Sequence, residues 1–560
     1  MEQMLGMGFP FDLAKVSLEA HGWDASRASM AILEGRDLQV ESATASTDTE
    51  EFQVRKARSD AGSMAEPRYG VVRGGGADWK MVAGGLVECQ EVPPLVGALA
   101  KLIGLLALKG VPFGTSHSNR AMLAAILLLA PAVFASAANR SAGVAHPVEV
   151  RGNLLFDAVT GQRFFAKGVA YNPRNGNYGQ VIGRHNPGCQ PGTPKFKGLE
   201  YYQDPASDDM ADQFTTYLPL IADLGANVVR LYNIDPEKSH EKFMRQAASL
   251  GLTVMVPLTR GDWGFMPASA SPKCYYEELP DYGHVGLNLL TSAKLIVDQF
   301  SKYDNTFMFV VANEIDHLDR NGFAAYPCIK ALTRDIHRYQ REKGYRKVPL
   351  IYSNKDQGAD RAGIAEYLTC ELESPDDVVD AFGLNAYSWC DPTYYSPSGE
   401  ESFTYSPYMS VAREFRSLPK PFLFTEFGCN TGAFQTECPS YKGGRSWTQV
   451  GAMMDKMGDF VSGAIAFEFS MENNEYGLVL TPGFLAGQDD LVLTDNYFAL
   501  KKQFTEGHVS GAGTPRMLPL SQCPSRAAAE ELQRRQQVSE VSDWTQLPAT
   551  PIMPESTVLP

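Results

Sequence analysis

Between residue 148 and about residue 505, short apolar runs of strand length alternate with longer stretches whose apolar positions recur at helical spacing. Eight runs read as strands: FFAKGVAY (164–171), NVVRLYN (227–233), LTVMVPL (252–258), TFMFVVAN (306–313), VPLIYS (348–353), DAFGLNAY (380–387), PFLFTEF (421–427) and GAIAFEF (463–469). Helical stretches such as ADQFTTYLPLIADLG, GLNLLTSAKLIVDQFSKY and CIKALTRDIHRYQREKG stand between several of them. The runs are apolar almost throughout, as parallel strands buried on both faces must be. Eight such units predict an α/β fold, a (β/α)8 barrel over residues 148–523.

The flanks differ in pattern. Residues 1–37 carry apolar positions at helical spacing, broken at Gly8 to Pro10 and at His21 to Asp24, which predicts a small module of three short helices. With Met7, Gly8 and Phe9 in one loop and Ile32 and Leu33 ending the last helix, it resembles a ubiquitin-associated (UBA) domain. That resemblance implies an exposed patch of Met7, Phe9 and Leu33 for ubiquitin; the alternative is that these side chains close a tiny core. Residues 38–120 are mostly polar and without sustained periodicity, a linker expected to be largely disordered. The run AMLAAILLLAPAVFASAA (121–138) has the form of a secretory signal, ending in the small residues Ala135-Ser136-Ala137. Its internal position, with Met122 at its head, has two readings. Either the secreted protein begins near Met122, or residues 121–138 are a signal anchor that leaves the catalytic part in the lumen and attaches it to a membrane. Beyond residue 524 the chain becomes helix-like and then proline-rich, and is expected to be a mobile, disordered tail without a lipid-anchor signal.

Composition narrows the partners. The 560 residues are 44% hydrophobic and 11% aromatic, enough for a large core, and carry a formal net charge of -15. An acidic chain without a basic excess cannot draw affinity from phosphate neutralisation, so nucleic acid is excluded as a partner. Of the nine cysteines, eight lie after residue 188 and none forms a CxxC pair, which favours the disulfides of a secreted domain over a zinc site. With no HExxH run, phosphate-binding glycine loop or clustered ligand set, no metal or organic cofactor is implied.

A barrel of this kind places its chemistry where strands end. The fourth run closes on Asn313 and Glu314, and the seventh carries Glu426 near its end. A carboxylate set directly after several apolar residues is costly to bury without purpose. Strands four and seven of a barrel can hold two Glu side chains across its mouth. Glycosidic cleavage with retention needs such a pair, about 5 to 5.5 Å apart, one as a protonated acid and one as a nucleophile. Glu314 is expected to be the acid/base and Glu426 the nucleophile, with Asn313 at the sugar 2-hydroxyl. Burial and the neighbouring charge of Glu426 would raise the Glu314 pKa.

The ordered segments KGVAYNP, DPASDD, LGANVVRLYNIDP, VVANEI, YRKVPLIYS, YLTC, FGLNAYSWC, PFLFTEFGCN and GAIAFEFSMENNEYGLV together resemble the β-1,3-glucanosyltransferases of glycoside hydrolase family 72, across roughly residues 165–480. The resemblance implies Asn313 and Glu314 as the acid/base pair, Glu426 as the nucleophile, and Tyr232 and Tyr387 as sugar-contacting tyrosines. It also implies disulfides Cys390–Cys429 and Cys370–Cys523. Tyr171 and Asn172 stand where the family has Tyr-Gln, which makes both candidate substrate contacts. There are departures: a tyrosine near strand eight is Phe467 here, and Cys189, Cys274, Cys328 and Cys438 find no counterpart. The implied activity is cleavage of β-1,3-glucan and transfer of the new reducing end to a second glucan, outside the cell or in the cell wall. An endo-β-1,3-glucanase would use the same residues with water as acceptor. A rival of another class is a ubiquitin-binding adaptor with an inert, glycan-binding barrel.

Overall fold

A computed structural model of the chain describes three short strands between residues 70 and 88. It further describes residues 145–173, 204–259, 274, 288–317, 320–356, 360–389, 400–429, 445, 447–472, 476–485, 488–506, 513–539 and 541–551. The helical module proposed for 1–37, with Met7, Phe9 and Leu33, and the signal-like run 121–138 lie outside these residues. Among the described residues no helix is long and apolar enough to cross a membrane.

Eight parallel strands form a closed barrel. They are β1 (Ala166–Ala170), β2 (Val228–Arg230), β3 (Thr253–Pro257), β4 (Thr306–Asn313), β5 (Leu350–Lys355), β6 (Ala381–Ala386), β7 (Phe422–Phe427) and β8 (Val461–Ala466). Each falls on one of the eight apolar runs, and β8 pairs with β1 to close the ring. A helix follows each strand in turn: α1 (Ala211–Asp223), α2 (Glu241–Ser249), α3 (Leu289–Phe300), α4 (Tyr326–Glu342), α5 (Asp360–Thr369), α6 (Pro407–Phe415), α7 (Gln449–Asp455) and α8 (Asp495–Thr505). The fold is therefore the expected (β/α)8 barrel.

Strand alternation divides the core into two layers. Inside the ring, Ala166, Ala170, Val228, Met255, Met308, Val310, Ile351, Ala381, Leu423 and Ile465 pack together. An antiparallel hairpin of Val148–Arg151 and Leu154–Asp157 precedes the barrel and adds Val148 and Leu155 to that inner layer. Outside the ring, the alternate residues, among them Val169, Val229, Leu231, Phe382 and Phe424, meet the apolar faces of the helices.

The flanks carry some structure of their own. Within the linker, Gly70–Gly74, Ala77–Val82 and Gly85–Glu88 form an antiparallel three-stranded sheet. Strands of four to six residues leave too short a pattern to read in advance. The segment after 524 is also not a mobile tail as far as Pro551. Arg526–Arg535 form helix α9, capped by Ser525, whose Oγ accepts from the Ala528 amide at 3.2 Å. Trp544 is 1% exposed and packs its ring on Tyr367 and Tyr326 at 4.5 and 5.3 Å. Gln533, fully buried, donates to the Ser542 carbonyl at 2.9 Å and accepts from the Ser542 amide at 2.8 Å. Arg334 on α4 donates to the Pro548 carbonyl at 2.8 Å. A few large anchors do the holding, so periodicity gives no sign of them.

Disulfides join Cys274 to Cys328 and Cys370 to Cys523. The first pairing had no counterpart in the sequence resemblance. Cys429 is also disulfide-bonded, and Cys390 lies outside the described residues. Replacing the buried indole of Trp544 should remove the anchor of residues 525–551. We expect Trp544→Ala to cost about 3 to 5 kcal/mol, read as a lower urea midpoint, and an unchanged midpoint would mean that residues 525–551 do not depend on it.

Candidate active site

Alternation along β2 turns Val228, Arg230 and Tyr232 toward the barrel axis, and alternation along β6 does the same for Ala381, Asn385 and Tyr387. On β7 strict alternation would take Leu423 and Thr425 inward and leave Glu426 outside. The β6/β7 register shifts between Leu384 and Asn385, so that Asn385 pairs with Glu426 and Thr425 is the extra residue. A bulge of this kind re-aims a side chain at a strand end. Gly383 makes room for it, since a Cβ there would lie 2.4 Å from Thr425 Cγ2. Glu426 thereby joins the inner set and is 6% exposed.

Four side-chain and backbone groups meet on Arg230, which is 1% exposed. Its Nη1 donates to Glu426 Oε1 at 2.9 Å and to the Thr425 carbonyl at 2.6 Å, with Asn385 Oδ1 at 3.4 Å. Its Nη2 donates to Asn313 Oδ1 at 2.6 Å. The guanidinium also stacks 4.6 Å from the Tyr232 ring centre. Tyr232 donates to Glu426 Oε1 at 2.9 Å, and Tyr387 donates to Glu426 Oε2. Burial first, and the Glu426 charge with it, hold both phenols far above the usual tyrosine pKa, so each remains a donor. All three hydrogen bonds to Glu426, from Arg230, Tyr232 and Tyr387, use it as an acceptor, the role of an ionised carboxylate.

Glu314 follows β4 directly. Its φ of 45° lies in the left-handed region, rare for a residue with a side chain and typical of functional positions. Asn385 Nδ2 donates to Glu314 Oε1 at 2.9 Å and to Asn313 Oδ1 at 3.1 Å, while its Oδ1 accepts from Thr425 Oγ1 at 2.8 Å. Asn385 thus ties the two carboxylates into one network and fixes the orientation of Asn313. Both contacts of Asn313 fall on its oxygen, which leaves its amide N–H groups for a ligand. Burial, and then the Glu426 charge, push the Glu314 carboxyl up to about 8, against the opposing pull of Asn385 and Arg230. One carboxyl is held protonated at neutral pH beside a second that accepts hydrogen bonds from three donors. This division between two acids suits cleavage of an acetal.

The other expected contacts divide. Glu314, Glu426, Asn313, Tyr232 and Tyr387 come together at the end of the barrel where the strands finish. Phe467 stands with the tyrosines, its ring centre 6.3 Å from Tyr232 and 5.9 Å from Tyr387, so the wall there is apolar. Tyr476 adds a ring 5.3 Å from Tyr387. Tyr171 does not join this group. It follows Ala170, an inner residue, so alternation sends it outward, where it is fully buried against Tyr217, Phe243 and Phe469. Its expected contact with substrate is therefore withdrawn. Asn172, on the inner parity, is 3% exposed, and its Oδ1 has no protein partner. Arg230 and Asn385 are central and were absent from the expected set. The available signal was a charged or amide residue inside an apolar strand run. Among the described residues no group of His, Cys, Asp or Glu could hold a metal ion.

Comparison with known proteins agrees with this fold. The family model described as glucanosyltransferase, of glycoside hydrolase family 72, matches residues 137–508. The 1,3-beta-glucanosyltransferase GAS5 of Saccharomyces cerevisiae is 30% identical over 378 residues, which cover 66% of this chain and 65% of that protein. The 1,3-beta-glucanosyltransferase gas4 of Schizosaccharomyces pombe is 27% identical over 435 residues, 76% of this chain and 79% of that one. The chain thus spans less than two thirds of the first relative's length and more of the second's. Among solved structures, Saccharomyces cerevisiae Gas2p in complex with laminaritriose and laminaritetraose superposes with a TM-score of 0.54 at 26% identity, covering 73% of this chain and 78% of that one. With a match across most of its barrel, the chain belongs to the glucanosyltransferases of glycoside hydrolase family 72.

Proposed function

We propose that the chain is a retaining β-1,3-glucanosyltransferase that acts on glucan outside the cell or in its wall. The observation that carries this reading is the pairing of a protonated Glu314 with an acceptor-only Glu426 at the open end of the barrel, bridged by Asn385 and Arg230. The names of the relatives and the laminari-oligosaccharides of the solved Gas2p complex point to β-1,3-glucan as donor and acceptor.

In the first step a Glu426 oxygen attacks the anomeric carbon while the Glu314 proton passes to the leaving glycosidic oxygen. A glycosyl ester forms on Glu426, and the fragment carrying the original reducing end departs. Asn385 occupies Oε1 of Glu314, so the transferred proton sits on Oε2. Asn313 is held with its N–H groups toward the sugar 2-hydroxyl, a contact that strengthens as the ring gains positive charge. In the second step ionised Glu314 takes the proton of an acceptor hydroxyl, whose oxygen attacks the same carbon and releases Glu426. Hydrolysis differs only in using water as that acceptor.

Glu314→Gln and Glu426→Gln should each lower turnover of laminari-oligosaccharides by at least 1000-fold with the thermal midpoint preserved. Activity within tenfold of the native chain in either variant would sink the assignment. Incubation with reduced laminari-oligosaccharides should yield products longer than the donor; only shorter ones would mean an endo-glucanase. Because Glu314 must carry its proton in the first step, the rate of that step should fall as pH rises through about 8. Removing the like charge in Glu426→Gln makes ionisation of Glu314 easier, so its titration, followed by carboxyl carbon NMR, should move to lower pH. An upward move would mean that the charge of Glu426 does not help to raise the Glu314 pKa.

A further inference from the structure

His317 stands three residues after Glu314, with Nδ1 3.4 Å from Glu314 Oε2 and its side chain 61% exposed. The turn that presents it is firmly held. The His317 amide donates to the Glu314 carbonyl at 2.8 Å. Asp316, between them in sequence, is 1% exposed, and Lys355 at the end of β5 donates to its carbonyl at 2.7 Å. Gly322 lies against the same turn so closely that a Cβ would come within 2.2 Å of the Ile315 carbonyl oxygen. An exposed imidazole has thus been set on a rigid support beside one particular oxygen.

The two oxygens of Glu314 face different surroundings. Oε1 points into the network of Asn385, Asn313 and Arg230, the side that receives the donor sugar and its 2-hydroxyl. Oε2 is left for the glycosidic oxygen, and His317 lies on that side. The sugar beyond the glycosidic oxygen is the leaving group in the first step and the acceptor in the second. Partial burial and the nearby Lys355 cation lower the imidazole pKa, so the neutral ring offers one donor and one acceptor to a hydroxyl.

We infer that His317 is an acceptor-subsite residue, which binds the incoming glucan beside Glu314 and biases the glycosyl-enzyme toward transfer over hydrolysis. This deepens the proposed glucanosyltransferase reading and rests on it. Binding of this kind acts on capture of the intermediate by sugar, since water needs no such contact.

The test uses the full oxidised chain with reduced laminari-oligosaccharide as donor and laminari-oligosaccharide added as acceptor. His317→Ala should raise the acceptor concentration that captures half of the intermediate at least fivefold and shift products toward hydrolysis. His317→Asn, which keeps a polar atom near the Nδ1 position, should recover capture to within twofold of the native chain. Capture by His317→Ala equal to that of the native chain would overturn the inference. A 2-fluoro laminaribiosyl donor with an activated leaving group separates the two levels, through the glycosyl adduct on Glu426 read by mass spectrometry. No adduct in the native chain overturns the proposed function and this inference with it. An adduct in both forms with unchanged partition overturns the inference alone, and loss of the adduct in His317→Ala overturns the acceptor assignment by moving the residue to the first step.

Discussion

A guanidinium enclosed at the mouth of an apolar barrel must find negative charge and acceptors nearby, because burying an unpaired ion costs several kcal/mol. Arg230 meets that demand with Glu426, Asn313, Asn385 and the Thr425 carbonyl. The same demand runs in reverse. Glu426 has a cation at 2.9 Å and two phenols on its oxygens, so a carboxylate can stand in a place that would otherwise reject it. Glu314 is buried with an amide donor at 2.9 Å, the His317 ring at 3.4 Å and its negative neighbour, and it keeps its proton. The chemical difference between two identical side chains follows from burial beside a negative charge at one and a cation in direct contact at the other.

Geometry of the strands makes this asymmetry possible. Side chains alternate across a strand, and the inner positions of β2 and β6 deliver Arg230, Tyr232, Asn385 and Tyr387 without irregularity. The carboxylates arrive differently: Glu426 by the register shift that Thr425 and Gly383 accommodate, and Glu314 by a left-handed backbone after β4. Both acids therefore sit where regular strand geometry has been broken. Around the break at Glu314, Lys355 on the Asp316 carbonyl and Gly322 against Ile315 supply rigid support.

Much of the barrel was legible because a parallel strand covered on both faces has to be apolar along its length, and eight such runs are hard to mistake. Glu314 and Glu426 were legible for the complementary reason, as acids at the ends of apolar runs. Arg230 and Asn385 were hidden by the same rule, since they lie within VVRLYN and FGLNAY and look like interruptions of a strand. Parity could have found them: each is two residues before a tyrosine already suspected. Parity would also have excluded Tyr171, whose neighbour Ala170 faces the axis. The Cys274–Cys328 pairing and the docking of Trp544 depend on contacts between segments far apart in the chain, and periodicity carries no record of those.

The bond between Cys370 and Cys523 spans 153 residues, and in the chain-entropy picture closing so long a loop stabilises the fold by on the order of 5 kcal/mol. It also has a topological result. Strands β6, β7 and β8, and with them Tyr387 and Glu426, lie entirely inside the covalent ring it closes. A protease that cuts the backbone once between residues 371 and 522 opens that ring without releasing anything. Where proteases reach the chain, a nick there leaves one molecule with both acids still attached, until a reductant separates the halves.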